Sequence, residues 1–141
     1  MLRIVIGLVF LVSGFEKVVS PYQNFLYVIQ AYQLLPGWGQ ELTARLFPWM
    51  ELFIGIFMVL GLWTQGAAKA VLLMLAVFIT VVGQALLRGL PVDQCGCFGE
   101  MVHISPSKVI VLDSGLLLLT VFLLRYPSKT AQLSLDKFFA R

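Results

Sequence analysis

Charged residues are scarce in this sequence. Only 12% of its 141 residues are Asp, Glu, Lys or Arg, whereas soluble domains average about 25%. Hydrophobic residues make up 60% of the chain, and the mean hydropathy is +0.93. This composition excludes an ordinary soluble domain and indicates an integral membrane protein. The ten basic residues form no run typical of nucleic-acid binding, so we expect no nucleic-acid partner.

Cysteine and histidine are also rare, with two cysteines and one histidine in the chain. A zinc site usually takes four ligands at characteristic spacings, and that pattern is absent. The two cysteines, Cys95 and Cys97, are separated by one glycine. A disulfide that closes so short a loop removes little entropy from the unfolded chain, so it is a poor structural cross-link. The pair therefore indicates electron exchange or binding of a soft metal.

Long apolar segments are abundant. A helix needs about 20 apolar residues to cross a bilayer, and four such segments are present, at residues 2–19, 46–63, 67–87 and 105–124. We therefore predict an all-α membrane protein in which residues 1–124 form a four-helix transmembrane bundle. The first segment also resembles a signal peptide, but it continues into Glu16 and Lys17, which favours an uncleaved helix.

The segments between the spans have their own signals. Aromatic residues concentrate in residues 20–45, which suits the headgroup region. Within it, residues 22–35 predict a short interfacial helix that ends at Pro36 and Gly37. Pro48 is expected in the first turn of the second span. Thr64-Gln65-Gly66 is expected to form the turn that precedes the third span.

The basic residues predict the topology. Four spans place both termini on one side, and six of the ten basic residues fall on that side: Arg3, Lys69, Arg125, Lys129, Lys137 and Arg141. The excess favours cytoplasmic termini. The Cys95–Cys97 loop then faces the periplasm or exterior, the oxidising side. Residues 125–141 are expected to form a basic amphipathic tail on the cytoplasmic surface.

Four ionisable residues are expected near the cysteine loop. Lys17 and Arg88 mark the outer ends of the first and third spans, while Glu51 and Asp113 fall inside the second and fourth. Because charge within hydrocarbon is costly, we expect Glu51 and Asp113 to face the bundle interior and to pair with Lys17 or Arg88. A cation near the thiols favours the thiolate, and a carboxylate can relay a proton. Lys17 and Glu51 are thus candidate catalytic residues, with a purely structural ion pair as the alternative.

Three interpretations of the cysteine pair remain open. Gly96 permits the sharp backbone that an i, i+2 disulfide requires, and strain in that ring favours its reduction, as redox exchange needs. Alternatively, Cys95 and Cys97 bind Cu(I) together with Met101 or His103. In the third interpretation the pair is an inert loop constraint.

Three motifs carry a resemblance to a known family. They are Gly7-x-x-Phe10-x-x-Ser13-Gly14-x-x-Lys17, Pro48-x-x-Glu51-x-x-x-Gly55 and Cys95-Gly96-Cys97-Phe98-Gly99. Over residues 1–124 the chain resembles the DoxX-like superfamily, in its MauE (methylamine utilisation) branch. The resemblance implies a small four-helix protein of the bacterial inner membrane, linked to disulfide formation during maturation of periplasmic methylamine dehydrogenase. It also implies that Cys95 and Cys97 are the redox pair and that Lys17 and Glu51 are polar positions of the shared core.

The sequence thus predicts a membrane thiol-disulfide oxidoreductase or disulfide-maturation factor. Its partner is a periplasmic thioredoxin-like protein or a client. One cysteine pair holds only one disulfide, so electrons need a further carrier, and a quinone is the expected one. The alternative functions are a membrane module that binds or hands over Cu(I), and an assembly scaffold.

Overall fold

The computed structural model describes residues 1–90 and 105–126, and these residues form five α-helices and no strand. The helices are α1 (Leu2–Val19), α2 (Tyr22–Tyr32), α3 (Gly37–Leu60), α4 (Thr64–Leu87) and α5 (Pro106–Arg125). The all-α prediction is confirmed. Cys95, Cys97, Met101 and His103 lie outside the described residues, as does nearly all of the predicted tail.

Three of the described helices are long and apolar enough to cross a membrane. They are α3, α4 and residues 107–125 of α5. Helix α1 has 18 residues but contains three charged residues, Arg3, Glu16 and Lys17. The helical membrane protein is therefore confirmed for three spans, and α1 as a fourth span stays a prediction.

The predicted boundaries hold for α1 and shift by one residue for α5, whose N-cap is Ser105. Helix α3 begins at Gly37, after Pro36 at the N-cap, which is earlier in the chain than the predicted start of the second span at residue 46. Pro48 consequently lies inside α3, not in its first turn. An internal proline removes one backbone hydrogen bond, but helix continues on both sides of it. The apolar run marks only the later part of this helix.

The turn between α3 and α4 was also placed wrongly. Thr64, Gln65 and Gly66 form the first turn of α4. The chain reverses instead at residues 61–63, where Gly61 (φ +71°) and Trp63 (φ +47°) adopt left-handed backbone. The amides of Gly61 and Leu62 both donate to the carbonyl of Phe57, which ends α3 in the manner of a left-handed C-cap. Helix α2 ends earlier than predicted for a similar reason, since Gln33 (φ +51°) follows Tyr32.

Helices α1 and α3 approach each other backbone to backbone. A Cβ atom on Gly14 would lie 2.5 Å from the amide nitrogen of Leu52, and one on Gly55 would lie 2.5 Å from that of Leu11. Both distances are below any real carbon contact. Small residues of this kind permit close helix approach within lipid.

Two apolar clusters occupy the two ends of the bundle. The larger cluster joins Ile6 of α1 and Met58 of α3 with Val71 of α4 and Leu123 of α5. The smaller one joins Tyr32 of α2 with Val82, Ala85 and Val109, and Leu90 packs against it. The C-terminal part of α4 and the first turns of α5 therefore meet at the end of the bundle that α2 covers.

Replacing Gly14 tests the close approach of α1 and α3. Because any side chain at Gly14 meets the α3 backbone, we expect Gly14→Leu to lower the free energy of unfolding by about 1–3 kcal/mol. The matched control is Gly83→Ala on α4, where an added Cβ meets no atom within 4 Å. This control is expected to gain up to about 1 kcal/mol from its better helix propensity. Denaturant unfolding in micelles, followed by circular dichroism, measures both. Equal stability of the two variants would contradict the close approach.

Candidate functional site

A buried ion pair joins α1 to α3. Lys17 Nζ lies 2.7 Å from Glu51 Oε2, and the two side chains are only 2% and 3% exposed. Gly14, one turn before Lys17, lies against Glu51 and Leu52 of α3. The close approach of the helices thus brings the ammonium and the carboxylate together. The prediction that Glu51 faces the interior is confirmed, and Lys17 is the one of its two predicted partners, Lys17 and Arg88, with which it pairs.

The ammonium of Lys17 has further partners on three elements. It donates a hydrogen bond to Ser13 Oγ at 3.1 Å, one turn earlier on α1. It also lies 5.4 Å from the ring centroid of Phe25 on α2 and 5.6 Å from that of Phe78 on α4. Aromatic faces at these distances attract a cation. Lys17 is therefore held by α1, α2, α3 and α4 at once.

The rings beside Lys17 border an apolar cavity. Phe47 stacks on Phe25 at a centroid distance of 6.0 Å and meets Phe78 edge-on at 5.2 Å. Beyond them a cavity of about 280 Å³ lies between α2, α3 and α4, with an almost entirely apolar lining. We call it the apolar cavity. Its lining includes Phe25, Val28, Tyr32, Phe47, Phe78 and Val81. Its volume suits a small lipophilic ring compound.

An open cleft lies on another side of Lys17. Its volume is about 500 Å³, and Lys17 shares its lining with Ser20, Tyr22, Arg45 and Trp49. The guanidinium carbon of Arg45 lies 5.1 Å from the ring centroid of Tyr22. Lys17 therefore borders this cleft, while its side chain and that of Glu51 stay shielded from solvent.

Asp113 of α5 lies beside a small cavity that Glu51 also lines. Its side chain is buried, at 5% exposure, as predicted. Asp113, Ser13 and Glu51 line one small cavity of about 20 Å³. The expected pairing of Asp113 with Lys17 or Arg88 is not found, because Lys17 forms its ion pair with Glu51 and Asp113 Oδ2 has no hydrogen-bond partner among the described residues. Arg88 is exposed at the C-cap of α4 and takes no part in the site.

The sequence reasoning missed three features of the interior. The i, i+4 spacing of Ser13 and Lys17 was available as a signal for their hydrogen bond. No local signal indicated that Phe25 and Phe78 flank the ammonium. The burial of Arg3 was not predicted either, since Arg3 is only 3% exposed and a Cβ on Gly61 would collide with its guanidinium group.

The predicted Cu(I) ligands lie outside the described residues. Within residues 1–90 and 105–126, no group of three or more Cys, His, Asp or Glu side chains is arranged to hold a metal ion. The described site itself contains an ammonium, two carboxyl groups and a hydroxyl, from Lys17, Glu51, Asp113 and Ser13.

Breaking the ion pair tests its role in the fold. Glu51→Gln leaves the Lys17 ammonium buried without its counter-ion, so we expect the free energy of unfolding to fall by about 3–5 kcal/mol. The double variant Lys17→Met/Glu51→Met is expected to lose less than Glu51→Gln, because it leaves no buried charge unpaired. Glu41→Gln is the matched control, since the Glu41–Arg45 pair is exposed and contributes about 1 kcal/mol or less. Denaturant unfolding measures all three, and a loss in Glu51→Gln as small as the control's would contradict this account.

Comparison with known proteins identifies the family. The family model described as "Methylamine utilisation protein MauE" matches residues 1–126. The chain is 32% identical over 139 residues to Protein TlpB of Flavobacterium psychrophilum, covering 92% of the chain and 37% of that relative. It is 28% identical over 111 residues to the methylamine utilization protein MauE of Paracoccus denitrificans, covering 79% of the chain and 59% of that relative. No solved structure matches the chain.

The chain thus spans less than two thirds of the length of either relative. The family match, by contrast, covers all five helices, including every residue of the buried site on α1, α3 and α5. This bacterial membrane protein belongs to the MauE family.

Proposed function

We propose that this protein is a membrane thiol-disulfide oxidoreductase that supports disulfide formation in a periplasmic client. Cys95 and Cys97 are its redox pair, and a thioredoxin-like protein or the client itself is its partner. The single observation that carries the proposal is the buried Lys17–Glu51 pair next to an open cleft, in a chain of the MauE family.

The connectivity of the helices supports a role for this pair in thiol chemistry. Leu90 and Val109, which flank the segment that contains the cysteines, pack in the cluster beneath α2. Lys17 contacts Phe25 of the same helix α2. The chain therefore leaves and re-enters the described bundle at the end where the ammonium lies. In the proposed reaction Lys17 favours the thiolate of the attacking cysteine, and Glu51 accepts its proton.

The proposed topology is a four-span protein of the inner membrane with cytoplasmic termini. In this topology α1 also crosses the membrane, which gives four spans, and α2 is the interfacial helix. The cysteines then face the periplasm. Two observations support α1 in this role. Its 18 residues correspond to about 27 Å of helix, close to the hydrocarbon thickness. Its outward face is apolar, with exposed Val5, Leu8, Val12, Phe15 and Val19.

The electrons are proposed to pass to a quinone. A client dithiol reduces the Cys95–Cys97 disulfide and is itself oxidised to a disulfide. The two resulting thiols then give two electrons and two protons to the quinone, which becomes a quinol and restores the Cys95–Cys97 disulfide. The apolar cavity supports this step, because it is large enough for a quinone ring and shares Phe25 and Phe78 with the surroundings of Lys17.

Trapping with single cysteine variants tests the redox pair. If one cysteine attacks and the other resolves, either Cys97→Ser or Cys95→Ser accumulates a mixed disulfide with the partner. Non-reducing gels and mass spectrometry after acid quenching detect it, and the double variant Cys95→Ser/Cys97→Ser is the control that traps nothing.

The redox proposal fails if neither single variant traps a partner and both still mature the client. Stoichiometric Cu(I) bound by the reduced wild-type protein, lost in Cys95→Ser and without thiol turnover, would replace it with the metal-carrier function. If both cysteines prove dispensable in every assay, the remaining function is that of an assembly scaffold.

Filling the apolar cavity tests the quinone step. Val81→Trp places an indole within the lining of the cavity, so we expect quinone-dependent re-formation of the disulfide to slow about tenfold, a loss of about 1.4 kcal/mol. Disulfide exchange with a small dithiol should be unchanged. Leu73→Trp is the matched control on the outward face of the same helix, where Leu73 is 68% exposed. Equal re-oxidation rates in the two variants would exclude the cavity as the quinone site.

A further inference from the structure

Asp113 carries a buried polar atom whose hydrogen-bond partner is missing among the described residues. Its Oδ2 is shielded from solvent and has no partner there. The whole residue is 95% buried within α5. A buried polar atom left unsatisfied costs about 1–3 kcal/mol, and more when the group is charged. The ion pair and catalytic roles argued above do not use this residue.

The small cavity in front of Asp113 has the size and lining of a water site. Its volume is about 20 Å³, whereas one water molecule needs about 10–15 Å³ and two to four polar partners. Three polar side chains line it, namely Ser13 of α1, Glu51 of α3 and Asp113 of α5. The remaining lining is apolar, and α4 contributes only Leu75 and Phe78. One water molecule therefore fits, and its polar partners are supplied by three different helices.

The charges around the cavity indicate that the site also holds one proton. Among the described residues, the ionisable groups here are Lys17 on α1, Glu51 on α3 and Asp113 on α5, while α2 and α4 present the rings of Phe25 and Phe78. If all three groups were ionised, one positive and two negative charges would leave a net charge of −1 in apolar surroundings. Such a charge is costly in a membrane interior. One proton bound between the two carboxyl groups makes the cluster neutral.

We propose that this cavity holds one water molecule that hydrogen-bonds Asp113 Oδ2 to Glu51 and Ser13, and that the hydrated cluster is a proton-exchange site. A proton that leaves the Asp113 carboxyl joins the water, and the water passes one of its own protons to Glu51. The exchange moves one proton between the two carboxyl groups and leaves the Lys17 ammonium paired with Glu51. This assignment goes beyond the proposed thiol chemistry and does not depend on the cysteines.

Water-edited solid-state NMR tests the bound water in the intact protein. The full chain, ¹³C-labelled at aspartate, is studied in lipid bilayers, and Asp113→Asn identifies the signal of the Asp113 carboxyl carbon. We expect this carbon to receive magnetisation from water. In Val9→Ile one more methylene enters the cavity, because Val9 belongs to its lining, and the transfer to Asp113 should be lost. Val12→Ile on the outward face of α1, where Val12 is 57% exposed, is the matched control and should keep it.

Several outcomes would overturn the proposal. No transfer from water to the Asp113 carboxyl carbon in the wild-type protein excludes the water. Transfer that persists in Val9→Ile locates the water outside the cavity. An Asp113 signal that moves when sodium chloride is replaced by choline chloride shows a bound cation in place of water.

Infrared spectroscopy tests the proton exchange separately. Asp113→Asn minus wild-type difference spectra assign a protonated carboxyl band, which should move on transfer from H₂O to D₂O. An absent band, or a band that does not respond to D₂O, excludes proton exchange at Asp113. Because neither measurement uses the thiols, failure here is distinct from failure of the redox proposal.

Discussion

The buried contact between Lys17 and Glu51 is the interaction on which the rest of the site depends. A single charge in this apolar bundle is strongly unfavourable, so each of the two groups requires the other. Their 2.7 Å contact demands that α1 and α3 lie close together, and Gly14 and Gly55 permit this because neither carries a side chain. The two glycines and the ion pair thus act together. The glycines allow the approach, and the opposite charges set the register at which the helices meet.

Around this pair the bundle separates three environments. An open cleft lies beside Lys17, the apolar cavity lies behind Phe25 and Phe78, and a small cavity lined in part by Ser13 and Glu51 leads to Asp113. Thiol-disulfide exchange coupled to a lipophilic carrier needs a similar division, since protons move through polar groups and a quinone enters from lipid. All three environments lie within the residues that match the MauE family.

Much of the fold was predictable from the amino-acid pattern. Apolar runs identified the helices, since α1 has its predicted bounds and α5 differs by one residue. The errors occur where the end of an apolar run does not coincide with the end of a helix. Helix α3 begins at Gly37 because a helix can extend into a polar stretch, and it includes Pro48. The turn at residues 61–63 depends on left-handed backbone at Gly61 and Trp63, and tryptophan carries no signal for that conformation.

The sequence by itself determined the membrane class, because an apolar composition excludes a soluble domain, and it identified the cysteine pair. It also determined the burial of Glu51 and Asp113, because a charge in hydrocarbon is costly whichever residues surround it. Only the tertiary structure decided that Glu51 pairs with Lys17 while Asp113 Oδ2 finds no partner among the described residues, and that Phe25 and Phe78 flank the ammonium. Those contacts join residues far apart in the chain. They depend on how each helix is rotated and how closely its neighbours approach, and local periodicity does not encode either quantity.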